Sequence, residues 1–107
     1  MTPLQEKTYK LLKRVPRGRV TTYKALAEAL HTSGYRAIGQ FMKHNPYAPA
    51  VPCHRVVASN GTIGGFMGAK TGKTIRKKIA LLRSEGIIIS GNRIINFPTV
   101  LFLFPDS

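Results

Sequence analysis

The chain has 107 residues, enough for one domain with a modest core and little room for a second module. Hydrophobic residues make up 43%, which excludes a generic disordered chain, and one cysteine excludes an internal disulfide. Lysine and arginine number 17 against 4 acidic residues, a net charge of +13 that repels itself in a compact fold unless a polyanion is often nearby. Nucleic acid is the preferred partner, because the bases are spread over several segments rather than gathered in one tail. An anionic membrane surface and an adaptation for solubility are the lesser readings. No apolar run approaches a membrane span and nothing at the start resembles a signal peptide. The expected setting is therefore soluble, reducing and cytoplasmic, nucleoid-associated in a prokaryote or nuclear in a eukaryote.

In chain order, a first helix is expected over residues 3–14. Thr2 is its N-cap, Pro3 occupies the first helical position, and Gln5 completes a capping box. Leu4, Leu11, Leu12 and Val15 form its apolar stripe. Pro16-Arg17-Gly18 breaks the helix, and Arg19-Val20-Thr21 reads as extended. Two short helices follow at 22–30 and 35–43, separated by His31-Thr32-Ser33-Gly34, a helix-turn-helix pattern. Asn45-Pro46 ends the second of these, since a residue before proline avoids the helical region. Pro46, Pro49 and Pro52 give a stiff, irregular approach to Cys53. A strand at 56–58 is closed by Ser59-Asn60-Gly61. A last helix over 71–84 should bury Ile75, Ile79 and Leu82, with Gly86 as its stop signal. Lys70, Lys73, Arg76, Lys77, Lys78 and Arg83 surround it, a charge run of the kind that is usually a solvated face. Segments 87–89 and 93–95, joined around Ser90-Gly91-Asn92, read as a hairpin or wing. The fold class is mostly α with small β elements: a winged helix-turn-helix forming a single domain over residues 1–107, whose last ten or so residues pack apolar side chains on the body.

Pro52-Cys53-His54-Arg55-Val56 is the stretch that carries chemistry. A thiol is nucleophilic as thiolate, and an adjacent imidazole can accept its proton, so Cys53-His54 reads as an activated pair. Taken alone, a single intracellular cysteine is more often a small buried hydrophobe. No paired zinc-type spacing joins Cys53 to His31, His44 or His54, so no metal and no cofactor is expected.

Six segments together resemble a known family. Val20-Thr21-Thr22-Tyr23, Tyr35-Arg36-Ala37-Ile38-Gly39, Asn45-Pro46, Pro52-Cys53-His54-Arg55-Val56-Val57, Gly61-Thr62-Ile63-Gly64-Gly65-Phe66 and Leu81-Leu82-Arg83-Ser84-Glu85-Gly86 stand in the order of the O6-alkylguanine-DNA alkyltransferases. Any one is weak; together they resemble that family's C-terminal, DNA-binding domain, without the N-terminal domain found in many members. The resemblance implies single-turnover repair, in which the protein binds the minor groove of duplex DNA, extrudes an O6-alkylated guanine and moves the alkyl group irreversibly to its own cysteine. Cys53 would be the acceptor, deprotonated at neutral pH inside a cleft open to the base. His54 would relay the proton through a water, and Glu85 would hold the imidazole charge. Tyr23 would crowd the target phosphate and donate to the leaving purine, and Asn45 would bridge the turn between recognition helix and cysteine loop. Arg36 would fill the space of the extruded base, with Thr22, Tyr35, Ala37 and Gly39 on the same DNA-binding surface. Val56, Gly64, Gly65, Phe66 and Met67 would line the guanine pocket. Many members have tyrosine where Phe66 stands and a small residue where Met67 stands, so the range of alkyl groups is left open. A monomer is expected, with clustering on DNA left open. Two alternatives remain: an alkyltransferase-like protein that binds lesions without accepting the group, and a winged-helix regulator. Cys53 argues against the first; Pro52-Cys53-His54-Arg55 and Glu85 argue against the second.

Overall fold

The computed structural model describes residues 1–65 and 72–104. Helix α1 (Pro3–Leu12) starts at Thr2, whose hydroxyl accepts from the Gln5 amide at 3.1 Å, with Pro3 where a missing N–H costs nothing. The Gln5 side chain does not turn back to complete the box but runs along the helix and donates to the Tyr9 hydroxyl. The helix stops two residues before the expected end, because Arg14 and Val15 donate three residues back, to Leu11 and Leu12, tightening the final turn. Its buried face is Thr8, Tyr9 and Leu12. Thr8 fits there because its hydroxyl donates to the Leu4 carbonyl at 2.7 Å.

Strand β1 (Thr21–Thr22) runs directly into α2 (Tyr23–Ala29), where the Thr22 hydroxyl caps the helix by accepting from the Ala25 amide at 3.0 Å. The turn to α3 (Tyr35–Lys43) is closed by Thr32 N–H donating to Ala27 and by Gly34 N–H donating to the Thr32 hydroxyl. α2 and α3 form the expected helix pair. Leu12, Val15, Leu26, Ile38 and Val56 meet in the first core cluster, which also takes in Cys53 and Phe104. Tyr9 ties α1 to the end of α3 by donating to the Phe41 carbonyl at 2.7 Å.

Asn45 opens an irregular segment that ends in one helical turn, Cys53–Arg55. Strand β2 (Val56–Val57) then lies parallel to β1, with Thr21 opposite Val56 and Thr22 opposite Val57, so the cysteine turn hangs beside the start of α2. Helix α4 (Lys73–Ser84) ends where Gly86 adopts φ +92°, which favours glycine. Gly86 N–H donates to Arg83 and Ile87 N–H to Leu82, a Schellman closure that fixes Glu85 at the helix end. Because Ile87 is spent on that closure, the antiparallel hairpin starts later than expected, as β3 (Ile89–Ser90) and β4 (Arg93–Ile94). Ile63 N–H donates to Asn92 and Ile94 N–H to Gly61, so the hairpin also anchors the chain entering Gly64-Gly65. A short helix α5 (Phe97–Val100) leads to a tail in which Leu101 bridges Val20 and Phe104 enters the core. Arg19 holds this tail by donating to the carbonyls of Val100 and Leu101. Among the described residues no helix is long and apolar enough to cross a membrane.

Leu26 is fully buried where α2 meets the first cluster. Leu26→Ala should destabilise the domain by about 2–5 kcal/mol, the range for a large-to-small core change, read from urea unfolding midpoints.

Candidate functional site

The cysteine lies at the junction of three polar groups and an apolar wall. Cys53 is 3% exposed. The Asn45 amide hydrogen-bonds its sulfur, and Lys78 exerts a charge on it. Burial is the larger effect and pushes the thiol up, with the Asn45 bond and the Lys78 charge pulling the other way. This corrects the expectation of a sulfur already ionised in an open cleft: in this structure it is covered and its proton is held. Asn45 reaches three places at once. Besides the sulfur, its Nδ2 donates to the Val51 carbonyl at 2.9 Å and its Oδ1 accepts from the Tyr47 amide at 2.9 Å. Tyr23, at the first position of α2, is pushed up by burial and by the Cys53 charge, so its hydroxyl keeps its proton and stays a donor.

His54 points the other way, toward the end of α4. Its Nε2 lies 3.0 Å from Glu85 Oε2. Arg55 closes the same carboxylate, Nε to Oε1 at 2.8 Å and Nη2 to Oε2 at 2.7 Å, while its Nη1 donates to the Val15 carbonyl. Burial opposes the Glu85 charge, but the bonds from Arg55 and His54 outweigh it and hold the carboxyl below its ordinary value. Burial likewise pushes His54 down, against the raising influence of Glu85, so the imidazole rests neutral. A carboxylate only accepts, so the Nε2 facing it must carry the hydrogen, and Nδ1 is left as the basic nitrogen. Glu85 is thus not the exposed helix-end carboxylate that its place in the sequence would allow.

Gly64 (φ +72°) brings its backbone close to Ala58, where an added Cβ would meet the Ala58 nitrogen at 3.4 Å. Gly64 and Gly65 line a cavity of 330 Å³ with Thr62, Ile63, Ile75, Ile79 and Asn92. Val56 is fully buried, on β2. Phe66 and Met67 lie outside the described residues, and so do Lys70 and Thr71. On α3, Tyr35 and Arg36 are exposed and Ala37 and Gly39 half-buried, whereas Thr22 is buried as the α2 cap. Among the described residues no group of three or more His, Cys, Asp or Glu is placed to hold a metal ion.

Residues 3–87 match the 6-O-methylguanine DNA methyltransferase DNA-binding domain. The chain belongs to the 6-O-methylguanine DNA methyltransferase family. It is 49% identical over 88 residues to the methylated-DNA–protein-cysteine methyltransferase of Thermococcus kodakarensis, covering 81% of this chain and 47% of that protein. The crystal structure of the O6-methylguanine-DNA methyltransferase from Pyrococcus kodakaraensis KOD1 aligns with a TM-score of 0.69 and 49% identity, over 81% of this chain and 48% of that one. S. pombe Atl1, solved in complex with damaged DNA containing O6-carboxymethylguanine, aligns with a TM-score of 0.82 and 30% identity, over 95% and 96% of the two chains. This family member therefore spans about half the length of the curated relatives it matches, and nearly all of Atl1.

Sequence reasoning misses two residues of this alkyltransferase-family site. Arg55 stands out in the sequence only as part of a motif, yet it shares Glu85 with His54. Lys78, expected on a solvated face, is fully buried instead, donating to the carbonyls of Val56 and Ile63 at 2.7 Å and of Gly65 at 2.8 Å. The signal is its phase: Ile75, Lys78, Ile79 and Leu82 fall at the spacing of one helix face.

The network is acid-labile with a definite sign. His54 sits below its ordinary 6.5, so the unfolded chain takes up that proton first and stability falls as pH drops through 6.5 toward the folded value. Glu85 is depressed from 4.5, so its contribution is present above that pH and is lost as pH falls through the folded value. Glu85→Gln should cost about 3 kcal/mol at pH 7, the low end for breaking a buried pair. It should also flatten the pH dependence of stability below 4.5, as measured by urea unfolding over a pH series.

Proposed function

We propose that this chain repairs O6-alkylated guanine in duplex DNA by accepting the alkyl group irreversibly on Cys53. The observation that carries this reading is the placement of one cysteine between the Asn45 amide and the Lys78 charge, on a turn whose next residue, His54, is a neutral imidazole backed by Glu85. Family membership and the net charge of +13 support it. Lesion-containing DNA enters because S. pombe Atl1, similar to this chain, is solved in complex with it.

The step balances as a displacement at carbon. The Cys53 thiol gives its proton to His54 Nδ1 through an intervening water, and the imidazolium formed is stabilised by Glu85. The sulfur attacks the alkyl carbon, a C–S bond forms, and the carbon–O6 bond breaks with its electron pair leaving on the guanine. Tyr23, which keeps its proton, donates to that purine and makes it the better leaving group. The thiol held protonated by burial fits a protein that must not react before a base arrives. Gly64 and Gly65 line the base pocket.

On the DNA side, α3 enters the minor groove and Arg36 takes the space of the extruded base. Gly39 supports that docking face. An added Cβ there would meet nothing within 4 Å, so packing does not demand a glycine that costs a helix about 1 kcal/mol. Close approach of a backbone from outside gives the reason. Tyr35 and Ala37 belong to the same surface, whereas Thr22 supports it from beneath as the buried α2 cap, and the protein acts as a monomer wherever the cell keeps its DNA.

A second reading, lesion binding without transfer, is favoured by one observation: the near-complete alignment with Atl1 bound to damaged DNA. One experiment separates the two. Intact-protein mass spectrometry after mixing with an O6-methylguanine duplex should show a single methyl adduct, absent in Cys53→Ala. Tight binding with no mass change would establish the second reading instead. Arg36→Ala should slow base extrusion, followed by fluorescence of a base analogue at the lesion, at least about tenfold more than it weakens binding to undamaged duplex. Equal losses would reduce Arg36 to a phosphate contact.

A further inference from the structure

Helix α1 has a second face besides the one that enters the core. Thr8, Tyr9 and Leu12 are buried, but Lys7, Lys10, Leu11 and Arg14 follow one another at three- and four-residue spacing along another side. With Ala29 and Leu30 from the end of α2, they line a groove of 350 Å³. Its floor is apolar, since Leu11, Ala29 and Leu30 are half-buried and pack on the first core cluster. Its rim is cationic, since Lys7, Lys10 and Arg14 are exposed. Among the described residues, none that lines it is acidic. The Arg14 guanidinium lies 5.7 Å from the centre of the Phe104 ring, so the tail buttresses one end of the rim.

Like charges at helix spacing repel, so the row from Lys7 to Arg14 weakens α1 unless an anion answers it. A phosphate backbone would answer the cations but would set polar, hydrated surface against Leu11 and Leu30. An apolar floor ringed by one sign of charge is matched instead by an apolar stripe flanked by the other sign. The groove runs between two helices. A third helix laid along it, at the usual interaxial distance of about 8–10 Å, would set its own i, i+3, i+4 and i+7 row on that floor. We infer that the α1–α2 groove is a docking site for an acidic amphipathic helix of a partner protein. The apolar stripe of that helix packs on Leu11, Ala29 and Leu30, and its flanking carboxylates meet Lys7, Lys10 and Arg14. No residue of the groove belongs to the cysteine turn or to α3, so this surface is separable from the alkyl-transfer reading.

The probe is a capped helical peptide with leucines at i, i+3, i+4 and i+7 and glutamates at the flanking positions. Titrated into the 15N-labelled full chain, it should move the amide signals of Leu11, Ala29 and Leu30 saturably. Reversing the rim in Lys7→Glu/Lys10→Glu should weaken binding at least about tenfold. Lys73→Glu/Lys77→Glu makes the same change in net charge on the exposed face of α4 and should leave binding as it was. No saturable shift, or equal weakening by the two double variants, overturns the inference. Equal binding of a peptide whose leucines are replaced by serine does the same, because charge alone then explains the contact. Displacement of the peptide by undamaged duplex also overturns it, by returning the groove to the DNA surface.

Discussion

Everything in this small domain is arranged around one constraint: ionic groups brought inside a thin core must be answered by a partner within reach. Glu85 answers two of them. Its side chain is 8% exposed, and the carboxylate takes a bidentate pair from Arg55 and a bond from His54. Arg55 in turn donates to Val15, at the end of the first helical segment, and Arg17 donates to the Ser84 carbonyl one residue before Glu85. One helix terminus thus gathers the N-terminal segment, the cysteine turn and α4. Removing such a partner leaves an uncompensated buried charge, at a cost of about 3–5 kcal/mol.

The cysteine turn is positioned by backbone rather than by apolar packing alone. The parallel pair β1–β2 places Val56 and Val57 against Thr21 and Thr22, so the strand that leaves the Cys53 turn is registered to the strand that enters α2. Thr22 then caps the helix that begins with Tyr23. Two residues far apart in sequence, Tyr23 and Cys53, are brought close enough to feel each other's charge by two short strands. Asn45 completes the connection from the other side, joining the end of α3 to Val51 and to the sulfur. The α2–α3 pair and the cysteine turn are consequently one mechanical unit.

Those parts of the fold governed by near neighbours along the chain are legible from residue types alone. Thr2, Thr22 and Gly86 each act within a few residues, through a hydroxyl or a left-handed backbone, and the helices begin or end there. The 35–43 helix is legible to the residue, since turn and Asn45-Pro46 bound it on both sides. Long-range compensation is what the sequence hides. Lys78 sits in the run Arg76-Lys77-Lys78, and only its phase with Ile75 and Leu82 distinguishes it from its exposed neighbours. Charge suggests solvent; periodicity points inward, and three carbonyls supplied by β2 and the glycine loop decide between them. The tail is opaque for the same reason, because Arg19, some eighty residues away, holds it.

The state of the sulfur is where sequence logic and structure part company, and the difference has a chemical sense. A thiol whose proton is held by burial is protected from adventitious electrophiles. The cost is that activation cannot rest on a standing thiolate. In the transfer proposed for this chain, activation would come by proton transfer to the neutral imidazole of His54. Burial brings the proton affinity of Lys78 down to about 7, so a cation held this deep is one that the interior can neutralise.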